Sequence, residues 1–178
     1  MALSGLVDKS APFVSTAFGD VGCVISSIEY NSAKVGTGSL FVAIEGAQTD
    51  GHAYVRDAIE RGAGAVVVSQ NRQAEFADLA GKTTLLAAAD TRRALSVLSA
   101  AFYGFPSSGM LVLGVTGTNG KTSITYMLES IFKSAGRTPG VIGTINYRWK
   151  GGLVPAPNTP PESRDVQEIV RAMADDGV

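Results

Sequence analysis

Residues 110–123 read "MLVLGVTGTNGKTS". An unbroken apolar run turns through glycines into Lys121-Thr122 and then into helical spacing. A continuous apolar run is the pattern of a central parallel strand covered on both faces. Glycines let backbone N–H groups face an anion without obstruction by Cβ. A helix beginning at the same point adds partial positive charge and unpaired donors. In such a loop Lys121 reaches the β- and γ-phosphates of a nucleotide, and the Thr122 hydroxyl holds Mg²⁺. The usual spacing, G-x-x-x-x-G-K-[ST], places its first glycine where this chain has Val115; glycines stand at 114 and 117 instead. Gly120-Lys121-Thr122 fits, and so does the context of strand before and helix after.

Working outward, helix 121–135 carries Ile124, Met127, Leu128 and Ile131 on one side, and Gly136 stops it. "TPGVIGTI" (138–145) reads as the next strand and "NYRWKGGLVPA" (146–156) as a hairpin around Lys150–Gly152. "PESRDVQEIVRAMADDGV" (161–178) reads as one more helix. Its acids Glu162, Asp165 and Glu168 complement the dipole of the first turns rather than ligate metal. Tyr147 and Trp149 read as packing residues.

Upstream, 22–28 and 39–44 read as short strands. Tyr54, Val55, Ala58 and Ile59 recur at helical spacing, Gly62 suits a stop, and Ala65–Ser69 is a buried strand. Residues 72–80 read as a short helix and 83–89 as another strand. Asp90 is a good N-cap for a helix with Leu95, Leu98, Ala101 and Phe102 on one face. "YGFPSSG" (103–109) breaks the pattern. Alternating strands and helices define an α/β fold. Two domains are expected, 1–108 with a mixed sheet and 109–178 as the start of a P-loop ATPase-like domain with a parallel sheet.

Of the 178 residues, 45% are hydrophobic and 17% charged, enough for a sizeable core. The formal charge of -1 gives no electrostatic reason to expect nucleic acid. The single cysteine, Cys23, reads as a small buried hydrophobe and cannot form an internal disulfide. The first residues lack a basic start followed by a long apolar core, and no apolar run approaches the roughly 18 residues that span a bilayer. No membrane partner and a cytoplasmic, reducing compartment are expected. His52 is the one histidine, which excludes a histidine dyad or a histidine-rich metal site. It reads as structural, at a helix start.

"TGTNGKT" (116–122) resembles the ATP loop of the Mur ligase family. "SAKVGTGSLFVAIEGAQTDGHAYVRDAIERGAGAVVV" (32–68) resembles that family's first, uridine-nucleotide-binding domain. "GVIGTINYR" (140–148) and "NTPPES" (158–163) are similar to segments of its central domain. The blocks stand in the family's order. They look most like the branch that adds the third residue of the peptidoglycan stem peptide. A sister branch shares the Gly-Ser-Leu-Phe-Val-Ala and Asp-Gly-His patterns and is the alternative. Folylpolyglutamate synthetases, also members, lack such a first domain.

The resemblance implies an ATP- and Mg²⁺-dependent amide ligase. ATP would phosphorylate the D-glutamate carboxylate of UDP-N-acetylmuramoyl-L-alanyl-D-glutamate. The amine of diaminopimelate or lysine would then attack the acyl phosphate. By the resemblance, Gly117, Thr118, Asn119, Gly120, Lys121, Thr122 and Ser123 form the ATP site, with Lys121 catalytic and Thr122 on the metal. Tyr30, Ser32, Ala47, Gln48 and Thr49 contact the uridine nucleotide, and Asn158 and Thr159 meet the sugar-peptide. Asn31-Ser32-Ala33 departs from the family's Asp-Ser-Arg, and Thr159-Pro160-Pro161-Glu162 departs from Thr-Thr-Pro-Glu. The latter loses a hydroxyl and an N–H.

The family enzyme has three domains, so the chain reads as a piece holding the first and the opening of the second. It is expected to expose apolar surface after residue 110 and to lack ligase activity alone. Two readings from other classes remain. One is a P-loop NTPase or kinase with an unrelated sugar-nucleotide module, which needs a Walker B acid not visible before Val178. The other is a non-catalytic UDP-binding module.

Overall fold

The computed structural model describes residues 1–46, 49–156 and 161–178. The chain divides into two compact units, Met1–Phe102 and Tyr103–Val178.

The first unit is built on one five-stranded sheet. In chain order its strands are β1 (Ser15–Phe18), β2 (Ser27–Glu29), β3 (Ser39–Val42), β4 (Ala65–Ser69) and β5 (Thr84–Ala88). Their order across the sheet is β1-β5-β4-β3-β2. β2 to β5 run parallel, and β1 closes the β5 edge antiparallel. Alternate side chains of the central strands feed two cores. Leu40, Val42, Ala65, Val67 and Leu86 face one side, under helices α1 (Leu3–Ser10) and α3 (Thr91–Phe102). Phe41, Ala43, Val66, Val68 and Leu85 face the other, with residues of α2 (Val55–Glu60) and of the 3₁₀ turns Gln70–Leu79. Burial on both faces explains the unbroken apolar strands. It also brings the carboxyl ends of four parallel strands to one edge.

α1 and β1 were not read from the sequence. Leu3 and Leu6 are fully buried beneath α3, yet eight residues with so few apolar positions give only a faint periodic signal. The strand expected over 22–28 is realised as β2, beginning at Ser27, while Val24 only bridges Ala2. Residues 70–79 form 3₁₀ turns rather than the expected α-helix; the buried pair Phe76 and Leu79, three apart, suits three residues per turn. Asp90 caps α3, its Oδ1 accepting from the Arg93 N–H at 2.9 Å.

The second unit holds α4 (Lys121–Ser134), β6 (Val141–Ile142), β7 (Asn146–Trp149), β8 (Gly152–Pro155) and α5 (Ser163–Asp175). The expected hairpin is present, turned by Lys150 and Gly151 at φ of 48° and 76°. Positive φ at both central residues is the hairpin geometry that matches strand twist. α4 ends at Gly136, φ 72°. α5 opens on a capping box of Glu162 and Asp165, so those acids do serve the helix end. Arg148 ties the hairpin to α4, stacking 3.9 Å over the Tyr126 ring and donating to Glu129 at 2.6 Å.

The three-stranded sheet described in this unit is antiparallel, as the hairpin reading of 146–156 requires. One reading is corrected here. Residues 111–116 form no strand; Leu111, Val112 and Leu113 are 76%, 66% and 52% exposed. An apolar run signals a tendency to be covered, but a strand exists only where neighbours receive its backbone hydrogen bonds. Among the described residues no strand does so. Ile124, Met127 and Ile131 on α4 are exposed as well.

If α1 is integral to the first core, Leu6→Ala costs about 2–5 kcal/mol of that unit's stability. Urea unfolding followed by far-UV circular dichroism reads this directly.

Candidate functional site

Two loops gather the candidate residues, one in each unit. In the first unit they leave the carboxyl edge of neighbouring strands β2 and β3. Ligands of open α/β sheets bind outside the carboxyl ends of strands. Tyr30 follows β2 and packs half-buried against the core. Ser32 opens a 3₁₀ turn, Ser32–Lys34, whose cap is Asn31; its Oδ1 accepts from the Ala33 N–H at 3.0 Å. A side-chain oxygen is all this cap requires, so asparagine replaces the family's aspartate without loss of the turn.

The segment after β3 leaves and returns tightly. Glu45 and Asp50 form an isolated bridge, the Gly46 N–H donates to the Thr49 carbonyl at 2.9 Å, and the Gly51 N–H donates to that of Ile44 at 2.9 Å. A Cβ on Gly51 would lie 2.8 Å from the Ile44 nitrogen and oxygen, which makes glycine obligatory there. Thr49 is exposed at this turn. Ala47, Gln48, Asn158 and Thr159 lie outside the described residues.

Asp50 and His52 fix the returning end. Asp50 Oδ1 accepts from the His52 backbone N–H at 3.0 Å and from its ring Nδ1 at 2.7 Å. The His52 Nε2 accepts from the Ser69 N–H at 2.9 Å, so the neutral ring carries its proton on Nδ1. Arg72 donates to Asp50 Oδ2. The ring is fully buried and stacks on Phe76. Glu45, Asp50 and His52 bring potential ligand atoms within 4.8 Å of one another, but both ring nitrogens are already engaged. These bonds tie the returning end of the segment to β4 and to the 3₁₀ turns. Partial burial works to raise the Asp50 carboxyl, and the hydrogen bonds from the His52 backbone, its ring and Arg72 outweigh it, holding it at about 2.

In the second unit the loop 117–120 meets α4. Gly117 and Gly120 sit at φ of 141° and 79°, conformations that side chains strain to adopt. Gly120 is the N-cap of α4 and supplies no side-chain hydrogen bond. The amides of Lys121, Thr122 and Ser123 therefore begin the helix without a partner among the described residues. The Thr122 and Ser123 hydroxyls are likewise uncommitted there. Lys121 folds back over the loop, its Nζ donating to the Gly117 carbonyl at 2.6 Å. Thus a lysine, open amides and two hydroxyls converge on one helix start, the donor set that suits a phosphate chain and a hard cation.

The first unit is an α/β sheet whose carboxyl edge carries polar turns, and the second holds a glycine loop that opens a helix at Lys-Thr, the pattern of a phosphate-binding loop. The chain belongs to the Mur ligase family. Residues 24–103 match the family described as "Mur ligase family, catalytic domain", and residues 115–178 match "Mur ligase middle domain". It is 45% identical over 154 residues to the UDP-N-acetylmuramoyl-L-alanyl-D-glutamate–2,6-diaminopimelate ligase of Bacillus licheniformis, covering 86% of this chain and 30% of that one. It is 42% identical over 159 residues to the ligase of the same name from Geobacter sulfurreducens, covering 89% and 30%. The chain thus spans about 30% of the length of these curated relatives. A solved structure of a ligase of that name shares the fold at a TM-score of 0.61 and 21% identity, over 86% of this chain and 30% of that one. The Acinetobacter baumannii UDP-N-acetylmuramoylalanyl-D-glutamyl-2,6-diaminopimelate–D-alanyl-D-alanyl ligase aligns with a TM-score of 0.54 at 19% identity, over 96% and 33%. Among the described residues no helix is long and apolar enough to cross a membrane.

The residues missed from sequence are Arg72 and Arg92. Each acts on a partner more than 20 positions away, Arg72 on Asp50 and Arg92 on the Glu45 carbonyl. No local pattern carries such a signal.

Asp50 gives a pH test. Its carboxyl lies below the ordinary 3.8, so its stabilising contribution is complete above that value and is lost as pH falls through about 2. Asp50→Asn is expected to lower the melting temperature at neutral pH. It should also flatten the decline between pH 4 and 2, as read in melts across that range.

Proposed function

We propose that this chain supplies the uridine-nucleotide site and the ATP loop of an ATP-dependent amide ligase of peptidoglycan synthesis. The observation that carries the reading is the open start of α4, where Lys121 lies across a glycine loop ahead of three amides without a partner among the described residues. The relatives' names supply the substrate, UDP-N-acetylmuramoyl-L-alanyl-D-glutamate, and 2,6-diaminopimelate as the amino acid joined to it. In this reading residues 1–108 serve the uridine nucleotide and residues 109–178 begin the ATP-binding domain.

In this reading the loop amides of Gly117 to Ser123 bind the phosphate chain of ATP, and Lys121 offsets charge on the phosphoryl group in transfer. The Thr122 hydroxyl would hold Mg²⁺, which when bound neutralises phosphate charge as a Lewis acid. The γ-phosphoryl passes to the D-glutamate carboxylate, giving an acyl phosphate. The incoming amine attacks its carbonyl carbon, loses a proton and expels phosphate. Tyr30, Ser32, Ala47, Gln48 and Thr49 form the uridine contact. Hydroxyls and amides suit a uracil edge or ribose, which need hydrogen bonds rather than charge. Asn158 and Thr159 face the sugar-peptide. The protein works in the cytoplasm, where its nucleotide substrates are made.

Titration of the 178-residue chain with UDP and then Mg–ATP, followed by backbone amide shifts, tests the reading. UDP should move Ser32 and Thr49; Mg–ATP should move 117–122. Lys121→Ala is expected to weaken Mg–ATP about ten- to a hundredfold, the worth of one charge-assisted hydrogen bond, while UDP binding stays unchanged. A UDP response without any ATP response would favour a uridine-binding module whose loop is idle.

A further inference from the structure

We infer that the cavity at the carboxyl ends of β4 and β5 is a site for a free α-amino acid, its carboxylate on Arg93 and its ammonium on Asp90. The cavity shares no residue with the two loops described above. β4 and β5 end side by side at Ser69 and Ala88, and the start of β1 lies at the same end, since Ser15 pairs with Ala87. Gln70 and Asp90, which follow those strands, and Pro12 and Phe13, which precede β1, enclose about 280 Å³. Carboxyl ends are where open α/β sheets bind ligands, and this volume lies at the small end of ligand pockets. It is room for one small metabolite.

The charges that line this cavity are not spent on each other. The Arg93 guanidinium lies 4.4 Å over the Phe13 ring, and among the described residues no acceptor takes a hydrogen bond from it. Stacking holds the planar fork in place with its donors open. Asp90 gives its Oδ1 to the Arg93 backbone N–H at 2.9 Å, and no cation pairs with its carboxylate among the described residues. One cation and one anion thus stand at the same hollow, three positions apart, with no ion pair between them. A ligand that bridges them carries a negative and a positive group of its own. An α-amino acid does so, and a guanidinium receives a carboxylate on two parallel N–H groups. A phosphate or a plain carboxylate would satisfy Arg93 but set its charge against Asp90. The apolar wall of Phe13, Pro12 and Ala88 receives a hydrocarbon side chain. Because Asp90 and Arg93 are both exposed, each ion pair adds little and binding is weak.

The test titrates the 178-residue chain with L-leucine, with isocaproate, which lacks the ammonium, and with isoamylamine, which lacks the carboxylate. Binding is read by backbone amide shifts and folding by thermal melts. Leucine is expected to move the amides of Ala88, Ala89 and Arg93, and the two analogues to bind about three- to tenfold more weakly. Asp90→Asn keeps a capping oxygen for α3. It should reduce leucine to the affinity of isocaproate and leave isocaproate no weaker. Arg93→Gln should reduce leucine to the affinity of isoamylamine. Isocaproate binding as tightly as leucine would show a plain anion site and overturn the inference. So would equal leucine affinity in Asp90→Asn and the unaltered chain, or no movement of those amides with leucine. If either variant fails to fold, the three ligands on the unaltered chain decide alone.

Discussion

A parallel strand has no stable existence without neighbours, because its backbone donors and acceptors point sideways to strands the turn chemistry of a hairpin cannot supply. Everything in the first unit follows from meeting that requirement. β4 lies between β3 and β5, β3 lies between β2 and β4, and β1 closes the far edge. Each face is then covered, by α1 and α3 on one side and by α2 with the 3₁₀ turns on the other. The result is a stiff sheet whose carboxyl edge holds turns in place. The same requirement is not met over residues 111–116, which have the composition of a central strand and stand open.

The two candidate loops are shaped by different means. After β3 the Glu45 carbonyl accepts from Arg92, and Asp50 is held by His52 and Arg72. Thr49, exposed in this segment, offers a neutral hydroxyl of the kind that pairs with a base or ribose. The loop before α4 is shaped by glycine backbone, with Lys121 as its one cation and main-chain amides as its donors. That arrangement suits a phosphate chain, where charge and closely approaching N–H groups count most. The proposed function assigns one kind of site to each unit.

Much of this was legible in the sequence where the signal is local. The buried strands Ala65–Ser69 and 83–89, the Asp90 cap, the Gly136 stop and the Lys150–Gly151 turn each depend on a few adjacent residues. The structural role of His52 could also be read, from its place beside Asp50-Gly51 at a helix start. What escaped reading is long-range. Leu3 and Leu6 matter because α3 lies over them, and Arg92 bonds to a carbonyl 47 positions earlier. The strand expected over 110–116 shows the converse: hydrophobic pattern reports the wish to be covered, not the presence of a partner. Asn31 looked like a lost acid, yet its oxygen keeps the cap that orders Ser32.

Amide hydrogen exchange on the 178-residue chain tests the governing constraint most directly. If partnered backbone decides which apolar runs become strands, the amides of Val66–Val68 and Leu85–Ala87 exchange only through global unfolding of their unit, while those of 111–115 exchange close to the rate of an unstructured peptide. Comparable protection of 111–115 and the central strands would contradict the account.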